Sequence, residues 1–437
     1  TLSCEDPMHS SLWAKISNTT QLGIDVSPVV LPNDLSIMPL PFFDRRDARV
    51  LNLAFVFAAA PDNATLEAAG ALSSWFGAQA SYRGARFSSH LNQIPATGNA
   101  VVLLSGPDAL QVGGLNLPAA KGPTLTVMTN PNDANGKLLV ISGRDSAELK
   151  RAANALVLGS QALSGNSVVI DRLDLVKPRK PYDAPNWLPS DRPVKLGELL
   201  PAKDFNVSGF NPGEIIVPLN LPPDLFSWRD NGAPLNLMYR YTPQEKSNNS
   251  SLIISFNDAL IQSQNLPSRD KLDSGLLSAL QTGDNLNRET DVLLPLNSAP
   301  PQSRLRLRYM FDYLKQGECN DIIIDNMRGA IDPESTLDLS GYDHFIAMPN
   351  LGVFKDTGFP FTRLADLSQT AVVLPDNAGA AELDAYLTVL GRFGESTGYP
   401  ATGVEVIQAA QVASVADKDL LVLASGANQP LLKQWAD

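Results

Sequence analysis

The chemistry this sequence offers most openly is that of aromatic rings set beside hydrogen-bonding side chains. Residues 224–232 read DLFSWRDNG, placing Trp228 next to Arg229, Asp230 and Asn231. A pyranose ring presents apolar C–H groups that stack on an indole or phenol face, while Asn, Asp and Arg take its hydroxyls. Trp187 and Tyr241 in the same stretch of chain, and Trp13 near its start, are further candidates for such contacts. The competing reading of each is core packing in a β sandwich.

Other chemistries find less support. The three histidines, His9, His90 and His344, stand far apart, with neither a Gly-x-Ser-x-Gly elbow nor a His-Glu-x-x-His helix around them. Glycoside hydrolysis needs two carboxylates facing each other across a cleft, which spacing alone does not reveal. Asp224, Asp230 and Asp258 read as turn and cap residues. The two cysteines, Cys4 and Cys319, lack metal-site spacing, so no metal site is expected.

A nucleotide or flavin site needs a Gly-, Ser- or Thr-rich loop after a first strand, so that backbone amides approach phosphate at a helix N-terminus. The loops available are AAAPDN (58–63) and LPDN (374–377), in which proline removes a donor. No cofactor is expected. The formal net charge of −12 repels phosphate backbones and anionic lipid, which argues against nucleic acid as a partner and is indifferent to a neutral polysaccharide.

The elements that must carry these residues are legible in outline. At 437 residues, two to four domains are expected. LNLAFVF (51–57) is a strand buried on both faces, followed by a Pro-Asp-Asn turn and a helix through Leu66, Ala69, Leu72 and Phe76 that Gly77 is expected to stop. AVVLLSG, TLTVMT and KLLVISG are further strands, and DSAELKRAANALVLGSQAL is a helix opened by Asp145 with Glu148 three residues on. Residues 36–178 therefore read as a parallel, layered α/β domain. The same punctuation returns at 353–437: strand, Pro375-Asp376-Asn377, a helix through Leu383, Tyr386, Leu387 and Leu390, then Phe393-Gly394. Trp75 and Tyr386, on the repeated helix, are expected to pack against the sheet.

Between the two copies, residues 181–352 alternate. PLNLMYRY puts Leu235, Leu237, Tyr239 and Tyr241 on one face, and SRLRLRYMF puts Arg304, Arg306 and Arg308 opposite Leu305, Leu307, Tyr309 and Phe311. Such strands have one buried face and join into an antiparallel sandwich. Residues 1–32 echo the stretch from Cys319 onward, and so read as the tail of an earlier β-sandwich domain; equivalent positions in separate domains seldom touch, so Cys4 and Cys319 are expected not to be bonded to each other. Opening on Thr1 without an initiator Met, the chain reads as a piece of something longer. Its longest apolar run, LNLAFVFAAA, is half the ~20 residues that a membrane span requires.

PLPFFDRRD, NAVVLLSG, CEDP…LWAKISN and PPDLF…PLNLMYRYTP, taken in order, resemble the periplasmic B subunit of bacterial cellulose synthase. The resemblance spans nearly the whole chain. It implies jelly-roll, carbohydrate-binding-like β-sandwich domains alternating with flavodoxin-like α/β domains, in a non-catalytic periplasmic subunit held at the inner membrane by a C-terminal helix outside this sequence. It also implies two partners, the membrane-embedded catalytic subunit and the nascent glucan, and leaves homo-oligomerisation open. Descriptions of the family credit it with binding cyclic di-GMP; the loops above offer no basis for that role, and the resemblance puts the regulatory nucleotide site on the catalytic partner.

Overall fold

The structure is a computed structural model, which describes the chain apart from residues 1–12, 26, 28, 109, 160–161, 172–177, 227–231, 245, 247–248, 274–285, 297–298, 313–325, 426–427 and 436–437. Cys4 and Cys319 lie outside the described residues, as do Trp228, Arg229, Asp230 and Asn231. The chain forms two compact units, one of residues 1–25 and 187–348, the other of residues 26–186 and 349–437.

The second of these opens with β1 (Leu51–Phe57), α1 (Asn63–Ala80), β2 (Ala85–Leu91) and β3 (Ala100–Ser105). A small hairpin of β4 (Leu110–Val112) and β5 (Leu115–Leu117) follows, then β6 (Thr124–Asn130), β7 (Asp133–Gly143), α2 (Ser146–Leu158) and β8 (Ser167–Val169). The sheet runs β2-β1-β3-β7-β6-β8. β1, β2, β3 and β7 are parallel, but β6 pairs antiparallel with both β7 and β8. The expectation of a wholly parallel sheet is thus corrected to a mixed one. Only two residues separate β6 from β7, a link that can close a hairpin and cannot carry a crossover.

The other unit is antiparallel throughout. It comprises β9 (Val194–Lys195), β10 (Asn206–Ser208), β11 (Ile215–Asn220), β12 (Leu225–Phe226), β13 (Ala233–Tyr241), β14 (Ser251–Phe256), β15 (Ala259–Asn265), the short helix α3 (Arg269–Asp273), β16 (Leu286–Leu294), β17 (Gln302–Met310), β18 (Arg328–Ile331), β19 (Thr336–Leu337) and β20 (Asp343–His344). One sheet is ordered β10-β18-β13-β19-β9 with β16 on the other edge of β13; a second is β11-β17-β14-β15. The alternation dictates the packing: Leu235, Leu237, Tyr239 and Tyr241 meet Leu305, Leu307, Tyr309 and Phe311 in one core. On the outer face Arg306 is answered by Glu214 at 2.6 Å and by Asp258 at 3.2 Å. Residues 13–25 carry no strand, and all are exposed.

The chain then adds α4 (Leu351–Thr357), β21 (Thr370–Leu374), α5 (Ala380–Thr397), β22 (Glu405–Gln408), β23 (Asp419–Val422) and α6 (Pro430–Gln434) to the first unit described. Its three parallel strands, ordered β22-β21-β23, repeat the β2-β1-β3 arrangement. The two sheets are separate, yet α1 and α5 pack against each other and a single hydrophobic core runs across both repeats.

That packing reassigns the glycines. α1 continues past Gly77 to Ala80, and α5 past Gly394 to Thr397, where Gly398 in the left-handed region closes it. A Cβ on Gly77 would lie 1.9 Å from the carbonyl oxygen of Gly391, and one on Gly394 would lie 1.9 Å from that of Ser74. These glycines are therefore where two helix backbones touch, and not helix stops. Tyr386, expected against the sheet, instead sits over Gly70 and donates from its hydroxyl to the Leu66 carbonyl at 2.8 Å. Further bonds lock the repeats together: Asp384 accepts from Ser89 Oγ at 2.6 Å, Ser74 Oγ accepts from the Ala401 amide at 2.7 Å, and Glu67 accepts from the Val406 amide at 3.1 Å.

Candidate functional site

The sandwich carries a corner where three distant segments meet. β12 and β20 form a two-stranded ribbon in which Leu225 pairs with His344 and Phe226 with Asp343. Just before β12, Asp224 accepts from His344 Nδ1 at 2.8 Å, and its backbone carbonyl accepts from the Phe345 amide at 2.7 Å. At the far side of the imidazole, Ser190 Oγ lies 3.1 Å from Nε2. The Asp224 side chain is 5% exposed and that of His344 21%. With the carboxylate accepting from Nδ1–H, Nε2 faces the serine hydroxyl as an acceptor.

This connectivity is that of a hydrolase triad, and it is not legible in the sequence, since the partners lie 154 and 120 residues from His344. A triad acts on a substrate held in a cleft beside the nucleophile, with donors aimed at a developing oxyanion. Ser190 lines neither of the two recesses beside β13. What the three bonds do is clamp the loop at 188–193, the turn before β12 and β20 into one base. On that base stands Phe345, 62% exposed, braced edge-on by Phe226 at 5.4 Å between ring centroids. An aromatic held this firmly with one face in water suits the C–H face of a sugar. Phe226 directly precedes residues 227–231 in the chain.

The sequence-derived candidates fare differently. Trp187 is 5% exposed and Tyr241 2%. Both are corrected to core residues: neither ring has a face left for a ligand. Tyr241 donates to the Pro267 carbonyl at 2.9 Å, and burial pushes its hydroxyl up to about 12. Trp13 is 76% exposed, within the strandless, exposed stretch 13–25. Phe226 and Phe345 escaped sequence reasoning because neither lies on a periodic face.

In the α/β unit, the helix starts that follow strands are closed by the chain's own carboxylates. Asp62 accepts from the Thr65 amide and Asp145 from the Glu148 amide, each at 2.8 Å, and Glu382 accepts from the Gly379 amide at 3.0 Å. Burial raises the Asp62 carboxyl, but bonds from Thr65 and Ser146 outweigh it and leave it below its ordinary range. Negative charge thus occupies the place that a phosphate takes in a nucleotide fold. Among the described residues, no group of three or more His, Cys, Asp or Glu side chains could hold a metal ion.

Comparison with known proteins points to one family. Three family models match in succession: "Cellulose synthase BcsB, first FD domain" over residues 34–170, "second CBM domain" over 193–336, and "second FD domain" over 344–437. A Pseudomonas fluorescens protein named cyclic di-GMP-binding protein is 64% identical over all of this chain and 58% of its own length. Proteins of the same name from Xanthomonas axonopodis pv. citri and Komagataeibacter xylinus are 45% and 36% identical, over 56% and 53% of their lengths. The chain thus spans a little over half the length of these relatives. Among solved structures, an insecticidal delta-endotoxin from Bacillus thuringiensis reaches a TM-score of 0.20 at 10% identity, over 35% of this chain and 24% of that one, too slight to bear on the fold. With all three BcsB domain descriptions matched in order along it, the chain belongs to the cellulose synthase BcsB family.

Proposed function

We propose that this chain is part of a non-catalytic periplasmic subunit of bacterial cellulose synthase, which supports the membrane-embedded catalytic subunit and guides the nascent β-1,4-glucan. The observation that carries the reading is a domain matching a CBM description over residues 193–336 between two matching FD descriptions, together with the clamped aromatic corner in which Phe226 of that stretch meets Phe345, just beyond it in the chain. Sugar contact is assigned to that corner together with Trp228, Arg229, Asp230 and Asn231, which follow Phe226 in the chain. The α/β layers, whose helix starts hold carboxylates, serve as spacers of flavodoxin-like outline and not as nucleotide sites. No helix among the described residues is long and apolar enough to cross a membrane.

The test has two arms. The full-length protein should co-purify with a polytopic glycosyltransferase, and loss of that association would remove the subunit reading. Separately, the chain should bind cellohexaose, and Phe345→Ala should weaken that binding by about tenfold, the size expected for losing one stacked ring. Unchanged affinity would remove the corner from the glucan path. The relatives' name suggests cyclic di-GMP as a ligand, and saturable binding of it by this chain would displace the glucan reading.

A further inference from the structure

The outer face of the sheet around β13 carries a second, chemically different feature. Across four neighbouring strands the register aligns Asn206, Ala330, Arg240 and Asn287 in one row, and the next row sets Ser208 against Arg328. Residues on one face at directly opposed or diagonal positions lie within side-chain reach of each other. Ala330 is the small member of its row. With Gly329 it floors a recess of about 490 Å³ lined by Asn206, Ser208, Arg240 and Arg328 and by no carboxylate.

Among the described residues, neither the Arg240 nor the Arg328 guanidinium meets a hydrogen-bond acceptor or a carboxylate. The arginine row on the other sheet is different, because Arg306 there is paired with Glu214 and Asp258. Arg240 also borders an adjoining recess of about 230 Å³ lined by Arg288, Asn287, Glu289 and Asp332. Arg288 Nε is buried there without a partner. The nearby acids are already engaged, Glu289 by Asn236 at 2.6 Å and Asp332 by the Glu334 amide at 3.0 Å. Like charges on neighbouring positions of one sheet face repel. In a chain of net charge −12 carboxylates are abundant, yet the recess that holds both Arg240 and Arg328 is lined by none, the nearest acids to Arg240, Glu289 and Asp332, lining the adjoining one.

We propose that this recess binds an oxyanion, a carboxylate or phosphoryl group carried by a small polar molecule or a sugar. Arg240 and Arg328 take the charge through their planar donor forks, and Asn206 and Ser208 supply neutral hydrogen bonds. A neutral glucan is a poor match, since the one aromatic ring in the lining, Tyr241, is 2% exposed and has no face to stack on. The site is separate from the Phe345 corner and stands or falls independently of it.

The purified chain is titrated at low salt with inorganic phosphate, with glucuronic acid and with cellohexaose, and binding is followed by calorimetry. Saturable binding of phosphate or of glucuronate supports the site and identifies which oxyanion it takes. That binding should weaken as sodium chloride is raised, and by at least about tenfold in Arg240→Gln/Arg328→Gln. Ala330→Leu, which fills the floor and leaves both charges, should abolish it while the urea midpoint stays near that of the wild type. Saturable binding of neither anion overturns the proposal, as does anion binding unchanged in the double variant. Loss of cellohexaose binding in the double variant also overturns it, because the recess would then serve neutral glucan; a cellohexaose effect confined to Phe345→Ala touches only the glucan reading.

Discussion

Gly77 of α1 faces Gly391 of α5 so closely that no side chain fits between them, and three residues on in α5 and three residues back in α1 the contact is returned by Gly394 against Ser74. Ser74 and Gly391 occupy equivalent positions in the two repeats, as do Gly77 and Gly394. The contact is therefore reciprocal: each repeat offers the other the same patch, as in an isologous dimer interface. The duplicated stretch of sequence is a two-fold-like interface written into a single chain.

Gly77→Ala tests this directly. In an exposed helix the change would add roughly 1 kcal/mol of stability through propensity. Here it drives a methyl group into a backbone carbonyl, and overpacking of this kind costs about 1–3 kcal/mol or more. The urea midpoint should therefore fall, and a rise would refute close contact between α1 and α5. Gly84, whose added Cβ meets nothing within 4 Å but whose φ is +71°, is a control for strain without a clash.

Tyr386 joins the repeats with one buried hydrogen bond to the Leu66 carbonyl. Tyr386→Phe keeps the ring and leaves that bond unmade, so a loss of about 1–2 kcal/mol is expected in chemical unfolding. Wild-type stability in this variant would mean that the hydroxyl bond contributes nothing.

Alkaline pH should unfold the sandwich. Burial raises the Tyr241 hydroxyl to about 12 and raises that of Tyr309 further, with Arg288 pulling Tyr241 the other way. In the unfolded chain both ionise near pH 10. A folded pKa above the unfolded one means a contribution that is whole below pH ~10 and is lost as pH rises through ~12. Denaturant midpoints measured from pH 8 to 12 should decline above pH 10, less steeply in Tyr241→Phe. A flat profile would contradict the burial of these rings.

If His344 clamps the corner, His344→Ala should raise amide exchange at residues 225–226 and 343–345 and lower global stability by about 1–2 kcal/mol. Ser190→Ala should be milder, since it removes one bond at the partly exposed nitrogen. Esterase activity in the purified chain that disappears in Ser190→Ala would instead show the three residues to be a working triad.

Much of the architecture is written in local pattern. Alternation in PLNLMYRY and SRLRLRYMF forces one apolar face per strand, and Asp62 and Asp145 announce helix starts through backbone amides three residues on. Such signals are legible because the energy behind them acts between near neighbours in the chain. What joins distant segments is not announced in this way. Gly77 carries the usual mark of a helix end, and only its neighbour from the other repeat makes it a contact point. Trp187 and Tyr241 have the composition of a sugar platform and are consumed by the core, while Phe345 is exposed because the ribbon beneath it is clamped from Ser190 and Asp224. The sequence by itself determined the elements, the repeat and the family; tertiary structure alone decided which face of each element meets another, because burial, close backbone approach and a shared imidazole depend on groups that sequence distance does not bring together.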